Sequence, residues 1–71
     1  MVTETTRSLK LRDIRKIARF TQEQVAGILG VSTPTYIKLE KNPELLTIED
    51  ARRLAQLFNV SVTQIFFDEK L

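Results

Sequence analysis

The chain has 71 residues, a hydrophobic fraction of 42% and a net charge of +2, and it contains neither cysteine nor histidine. These values predict a single domain over residues 1–71 with its core at about 7–67, and they exclude disulfides, a catalytic histidine and a Cys/His zinc site. No apolar run approaches the ~20 residues that cross a membrane, and the first residues lack an apolar signal-peptide stretch, so we expect a cytoplasmic protein.

Positive charge is concentrated at the start of the chain. Residues 1–20 hold six basic and two acidic side chains, whereas residues 21–71 hold five basic and seven acidic ones. A basic segment of this kind is compatible with a contact to nucleic-acid phosphates and equally with a solvated helix face. Charge alone leaves both interpretations open.

The first two helices follow from apolar spacing and capping residues. Leu11, Ile14 and Ala18 recur at helical spacing and predict a helix at about 7–19. Thr21 and Gln24 form a capping box, in which each side chain accepts a hydrogen bond from the backbone amide of the other residue. This box predicts that the second helix runs over about 22–29.

A short turn then separates the second helix from a third. Gly30 can adopt the left-handed conformation that ends a helix, and Ser32 is a preferred N-cap residue. Pro34 falls in the first helical turn, where its missing N–H removes no helical bond. The pattern predicts a third helix at about 33–41 and a helix-turn-helix over residues 21–40.

The last two helices follow from similar signals. Thr47 and Ser61 are N-cap residues of helices predicted at about 48–58 and 62–67. The inner face of the fourth helix is predicted to hold Ile48, Ala51, Leu54, Ala55 and Phe58. No segment alternates with strand period, so the predicted fold class is all-α, a compact five-helix domain.

The helix-turn-helix carries a resemblance to a known family. It lies in Thr21-Gln22-Glu23-Gln24-Val25-Ala26, Leu29-Gly30-Val31-Ser32, Tyr36-Ile37-Lys38-Leu39-Glu40 and Asn59-Val60-Ser61. In these segments the chain resembles the Cro/repressor (Xre-type) helix-turn-helix family of phage and bacterial transcription regulators, from about Leu9 to Phe66. The resemblance implies a dimer that places the third helix in the major groove of operator DNA.

The resemblance also implies residue roles. The residues it places at the DNA are Gln22, Thr33, Pro34, Thr35, Lys38 and Lys41. Gln22 would contact a phosphate, and Lys38 would donate hydrogen bonds to a guanine edge. Arg15 and Glu40 fall on family positions that commonly pair as an ion pair joining the first helix to the third.

Two isoleucines depart from the family pattern and leave an alternative function open. Ile28 and Ile37 stand where the family commonly has charged, small or polar residues. If both lie on the exposed side of the helix-turn-helix, they form an apolar patch suited to a protein partner. The alternative is therefore a modulator of anti-repressor or antitoxin type that associates with another helix-turn-helix repressor.

The last helix is the candidate homodimer surface. Large apolar residues on one short helix point in directions about 100° apart, so they cannot all face inward. We expect Val62, Ile65 and Phe67 to contact a second copy. No convergent nucleophile, base or metal ligand set is present, so we expect no enzymatic activity, metal or cofactor.

Overall fold

The computed structural model describes residues 10–66, which form five α-helices and one 3-10 turn. The helices are α1 (Leu11–Ile17), α2 (Gln22–Leu29), α3 (Thr33–Lys41), α4 (Ile48–Phe58) and α5 (Val62–Phe66), and the 3-10 turn Pro43–Leu45 joins α3 to α4. No strand occurs within residues 10–66, and the predicted all-α class is confirmed. The bounds of α2, α3 and α4 agree with the prediction. The predicted last residue of α5, Phe67, lies outside the described residues.

Side-chain caps explain where the helices begin. The Thr21 hydroxyl oxygen accepts the Gln24 N–H at 3.0 Å, and the Gln24 side-chain oxygen accepts the Thr21 N–H at 2.9 Å. Ser61 and Gln64 make the same reciprocal pair at 3.3 and 3.1 Å. Thr47 caps α4 through its hydroxyl alone. Each cap satisfies a backbone amide that helix geometry leaves without a partner.

The first helix is shorter than the predicted segment at about 7–19. Lys10 has extended backbone angles, φ −76° and ψ 161°, so the helix begins with the next residue. Residues 7–9 lie outside the described residues. At the other end Arg19 adopts a left-handed φ of 67°, and the N–H of the following residue donates to the Arg15 carbonyl oxygen at 3.2 Å. Arginine rarely adopts this conformation, so the local sequence did not mark the helix end.

The core draws on all five helices, with α2 and α1 packed on α3 and α5 packed on α4. Its buried apolar residues are Leu11, Ile14, Val25, Ala26, Leu29, Tyr36, Leu46, Ala51, Leu54, Ala55, Phe58 and Ile65. Ile48, predicted to face inward, is instead 59% exposed at the first position of α4, whereas Leu46 before it is buried. Helical spacing specifies a side of a helix but not how far along it the neighbouring helices extend.

The surroundings of Gly27 and the backbone conformation of Gly30 predict opposite effects of substitution by alanine. A Cβ at Gly27, within α2, would meet no atom within 4 Å. Gly27→Ala should therefore raise the free energy of unfolding by about 0.5–1 kcal/mol. Gly30 has φ +77°, a conformation that costs other residues about 1–2 kcal/mol, so Gly30→Ala should lower it. Urea denaturation followed by circular dichroism measures both changes, and a change of the same sign in both variants would contradict the structure.

Candidate nucleic-acid interface

Ser32 builds the first turn of α3. Its Oγ accepts the Thr35 N–H at 3.3 Å, and its hydroxyl donates to Thr35 Oγ1 at 2.9 Å. Pro34 lies in the same turn, where its missing N–H removes no helical bond. This turn contains no acidic residue, so no carboxylate of its own offsets the partial positive charge of the helix N-terminus.

Four side chains converge on the inner side of α3, and we call them the Glu40 cluster: Arg15, Gln22, Tyr36 and Glu40. Arg15 Nε donates to Glu40 Oε2 at 2.6 Å. Gln22 Nε2 donates to Glu40 Oε1 at 2.9 Å, and the Tyr36 hydroxyl donates to Oε2 at 2.9 Å. One carboxylate therefore receives hydrogen bonds from α1, α2 and α3. Among the described residues no buried side-chain nitrogen or oxygen lacks a partner.

The ion pair at the centre of this cluster is almost fully buried. Arg15 and Glu40 are 7% and 8% exposed. Arg15 Nη1 also donates to the Phe20 carbonyl oxygen at 2.9 Å, in the link between α1 and α2. The structure thus brings together the two residues that the family resemblance implied. Because an unpaired buried charge is costly, this contact resists sliding or rotation of α3 against α1.

The cluster also sets the protonation states of its members. Burial alone would raise the pKa of Glu40, but the hydrogen bonds from its three partners and the Arg15 charge outweigh burial and hold that pKa below its ordinary value. Burial, reinforced by the negative Glu40, raises the pKa of the Tyr36 phenol above its ordinary value. At neutral pH Glu40 is therefore a carboxylate, and the neutral phenol of Tyr36 donates a hydrogen bond to it.

The opposite side of α3 faces solvent. Successive helical residues are about 100° apart, and this spacing places four exposed side chains within an arc of about 120°. They are Lys41, Pro34, Lys38 and Thr35, and we call them the α3 outer face. Lys38 lies at its centre, directly opposite the buried Tyr36 and Glu40. Thr33 is half-buried outside this arc.

Gln22 was expected to contact a phosphate, and in the structure its side-chain amide bonds to Glu40. Gln22 is the first residue of α2 and is half-buried. The bond from its amide to Glu40 spans 18 positions of sequence, so no local pattern indicates it. The bond uses one of the two N–H groups of the amide, and the other remains to be satisfied by another acceptor.

One member of the cluster was missed although the sequence carried a signal for it. Tyr36 and Glu40 are four residues apart, a spacing that brings side chains together on one side of a helix. The Tyr36 ring is fully buried in the apolar core, so its hydroxyl needs a polar partner close by. A buried tyrosine usually does place its hydroxyl on a polar group.

The structure does not bring Ile28 and Ile37 into one patch. Ile28 is 44% exposed and lines a groove with residues of α4, namely Arg53, Gln56 and Leu57. Ile37 is half-buried and lines a different groove, on the side of α1 and the α2 N-terminus. The two side chains were expected together because both departed from one family pattern, which says nothing about their relative orientation.

The expected dimer residues on α5 also lie in different surroundings. Ile65 is 1% exposed and belongs to the core, so its side chain is not available to a second copy. Val62 is half-buried and packs against the core. Phe67 lies outside the described residues. Helical spacing requires that some apolar residue of α5 face outward but does not specify which one, and Ile65 is packed in the core.

Comparison with known proteins gives several matches. A family model described as helix-turn-helix matches residues 11–65. The chain is 32% identical over 63 residues to the cryptic phage CTXphi transcriptional repressor RstR of Vibrio cholerae, covering 89% of this chain and 57% of that protein. It is 37% identical over 60 residues to an uncharacterised helix-turn-helix-type transcriptional regulator of Methanocaldococcus jannaschii, covering 84% and 91%.

A similar regulator of Archaeoglobus fulgidus is 32% identical over 62 residues, covering 86% of this chain and 87% of that protein. The chain therefore spans little more than half of the phage repressor but most of each of these two archaeal regulators. No solved structure gave a significant match. Within residues 10–66, no helix has the length and apolar composition needed to cross a bilayer.

The lowered pKa of Glu40 predicts a loss of stability in acid. A carboxyl whose pKa is lowered by folding stabilises the folded state above its unfolded pKa of about 4.3, and this contribution disappears as the pH falls through the folded pKa. Glu40→Gln should therefore flatten the acid decline of the free energy of unfolding, and at neutral pH it should cost about 3–5 kcal/mol. Urea denaturation across this pH range measures both. Glu44→Gln, at an exposed carboxylate, is the control, and an equally flattened profile there would contradict the assignment.

A milder change tests the same cluster while keeping the ion pair. Tyr36→Phe removes one donor to Glu40, which should cost about 1.5–3 kcal/mol because the lost bond is to a charged group. The folded-state pKa of Glu40 should then rise toward its unfolded value, so the acid decline should move to higher pH. A decline at unchanged pH would show that the phenol does not stabilise the carboxylate.

Proposed function

Because this chain belongs to the helix-turn-helix family, we propose that it regulates transcription by binding operator DNA with α3 in the major groove. The Xre-type resemblance seen in the sequence is confirmed by the family match and by the relatives. The observation that carries the proposal is the orientation of α3. Its inner side is held by the Glu40 cluster, and its outer face is open to solvent and contains two lysines and no carboxylate.

The dimensions of α3 fit this function. An α-helix with its side chains is about 10–12 Å in diameter, which a major groove about 12 Å wide admits, and the nine residues of α3 extend about 13.5 Å along that groove. The α3 outer face is also narrow, so only its central residues would approach base edges. The edges of the face would approach the groove walls, where the phosphates lie.

Residues near the centre of the α3 outer face are assigned to the bases. Lys38 lies at the centre of the outer face, and its ammonium group can donate to guanine O6 and N7. Pro34 lies one turn earlier on the same side, where its ring can pack on a thymine methyl. Thr33, the first residue of α3, is half-buried outside the outer face, so it is not assigned to a base edge.

Residues at the borders are assigned to phosphates. Thr35 and Lys41 lie about 60° on either side of Lys38, which directs them toward the two walls of the groove. Gln22 lies at the N-terminus of α2, and the bond to Glu40 holds its amide in one orientation. Its second N–H can then donate to a phosphate oxygen without first losing conformational freedom.

The regulator is proposed to act as a repressor of phage or mobile-element type, since one relative is named a phage transcriptional repressor. Two copies would place two α3 helices in successive major grooves one helical turn apart. This action takes place on DNA in the cytoplasm and involves no catalytic step or cofactor. The modulator alternative is not favoured, because its two isoleucines line separate grooves and its expected apolar patch is not formed.

Lys38 provides the direct test of DNA reading. Duplexes that bind the wild-type protein are first selected from a random pool at low salt. Lys38→Ala should then weaken binding to the selected duplex by about 1–3 kcal/mol and relax the preference at one base pair. Fluorescence anisotropy with the selected duplex and its point variants measures both effects.

Arg52→Ala is the matched control, because it also removes one exposed cation but lies on α4, where it lines a groove with Val62 of α5. It should leave base preference unchanged. A Lys38→Ala protein that binds like Arg52→Ala would refute the base-reading role. A wild-type protein that selects no duplex would refute the proposed function itself.

A further inference from the structure

A groove runs beside the α3 outer face, and only two of its lining residues, Gln22 and Lys41, belong to the DNA contacts assigned so far. It has a volume of about 320 Å³ and lies between the N-terminal end of α1, the first residue of α2 and the second half of α3. Its lining residues are Lys10, Arg12, Gln22, Ile37, Glu40 and Lys41. We call it the basic groove.

The groove is more positive than its residue types suggest. Its single carboxylate, Glu40, is buried and already neutralised by Arg15 behind it. Lys10, Arg12 and Lys41 are all exposed around the opening. The contact of Arg12 Nε with Asp13 Oδ1 is long, at 4.0 Å, and exposed, so it offsets little of the arginine charge.

The position of the groove indicates the kind of partner it fits. Gln22 and Lys41 line it, and both are also assigned to phosphates in the proposed complex. A DNA backbone that passes these two residues would continue over the groove. The half-buried side chain of Ile37 offers an apolar contact for a deoxyribose, while the surrounding cations match the phosphates on either side of that sugar.

We propose that the basic groove binds the backbone of the same duplex outside the major-groove contact, with Lys10 and Arg12 as phosphate-binding residues. This inference rests on the proposed function and extends the interface from the helix-turn-helix onto α1. These contacts carry no base information, so they strengthen binding to every sequence alike. They also supply part of the positive charge that α3, with two lysines, lacks.

The first experiment measures the salt dependence of binding. The double variant Lys10→Gln/Arg12→Gln should reduce the slope of log K against log salt by about 2, with equal loss of affinity for the selected duplex and a random duplex. The control Arg52→Gln/Arg53→Gln removes the same charge from α4 and should keep the wild-type slope. Thermal melts should be similar for all three proteins, because the four side chains are exposed.

The outcomes distinguish a failure of the groove inference from a failure of the proposed function. Wild-type binding with an unchanged slope in the groove variant, or with equal losses in both variants, overturns the inference and leaves the proposed function intact. No binding of duplex by any protein overturns both. Binding of poly-glutamate at the groove, lost in the groove variant while duplex binding persists, also overturns the inference and points to an acidic protein partner.

A second pair of variants tests the groove at Ile37, the apolar residue in its lining. Ile37→Glu places a carboxylate among the three cations and should weaken binding to any duplex about tenfold. Ile28→Glu adds the same group in the separate groove beside α4 and should leave duplex binding within about twofold. Equal effects of the two substitutions, at unchanged melting temperature, would overturn the inference.

Discussion

The buried carboxylate of Glu40 is the point on which the arrangement of the helices depends. Placing a charge in the interior is unfavourable unless its oxygens receive enough donors, and here three side chains from three helices supply them. Arg15 adds a fourth connection by donating to the Phe20 carbonyl oxygen between α1 and α2. Any displacement of α3 would break several of these bonds together, so the cluster favours one relative placement of α1, α2 and α3.

Apolar packing alone would specify α3 poorly. Tyr36 is its single fully buried apolar residue, with Leu39 partly buried beside it, whereas α4 contributes four residues to the core. A helix held by so little apolar surface could be rotated at small cost. Directional hydrogen bonds to Glu40 remove that freedom, because they depend on angle as well as distance. The rotation of α3 is what decides which residues lie on its outer face.

The distribution of charge suits a binding surface made by several elements. Lys38 and Lys41 on α3 provide a modest positive field, and Glu44 in the following turn reduces it. The cations at the start of α1 compensate, since the fold carries them to the side of α3 where Gln22 also lies. Lys10 and Arg12 of the basic segment noted in the sequence thereby acquire a location relative to α3.

The sequence by itself determined the helices whose ends depend on local bonds. The bounds of α2, α3 and α4 were predicted because a cap residue and its partner lie three positions apart, so the interaction is present in the local pattern. The Arg15 and Glu40 pair followed only from family resemblance, and its bonds to Gln22 and Tyr36 were not foreseen. The tertiary structure decided those contacts, the left-handed Arg19 that ends α1, and the inward turn of Ile65. It also separated Ile28 from Ile37, because burial and long-range contacts depend on how helices distant in sequence pack against one another.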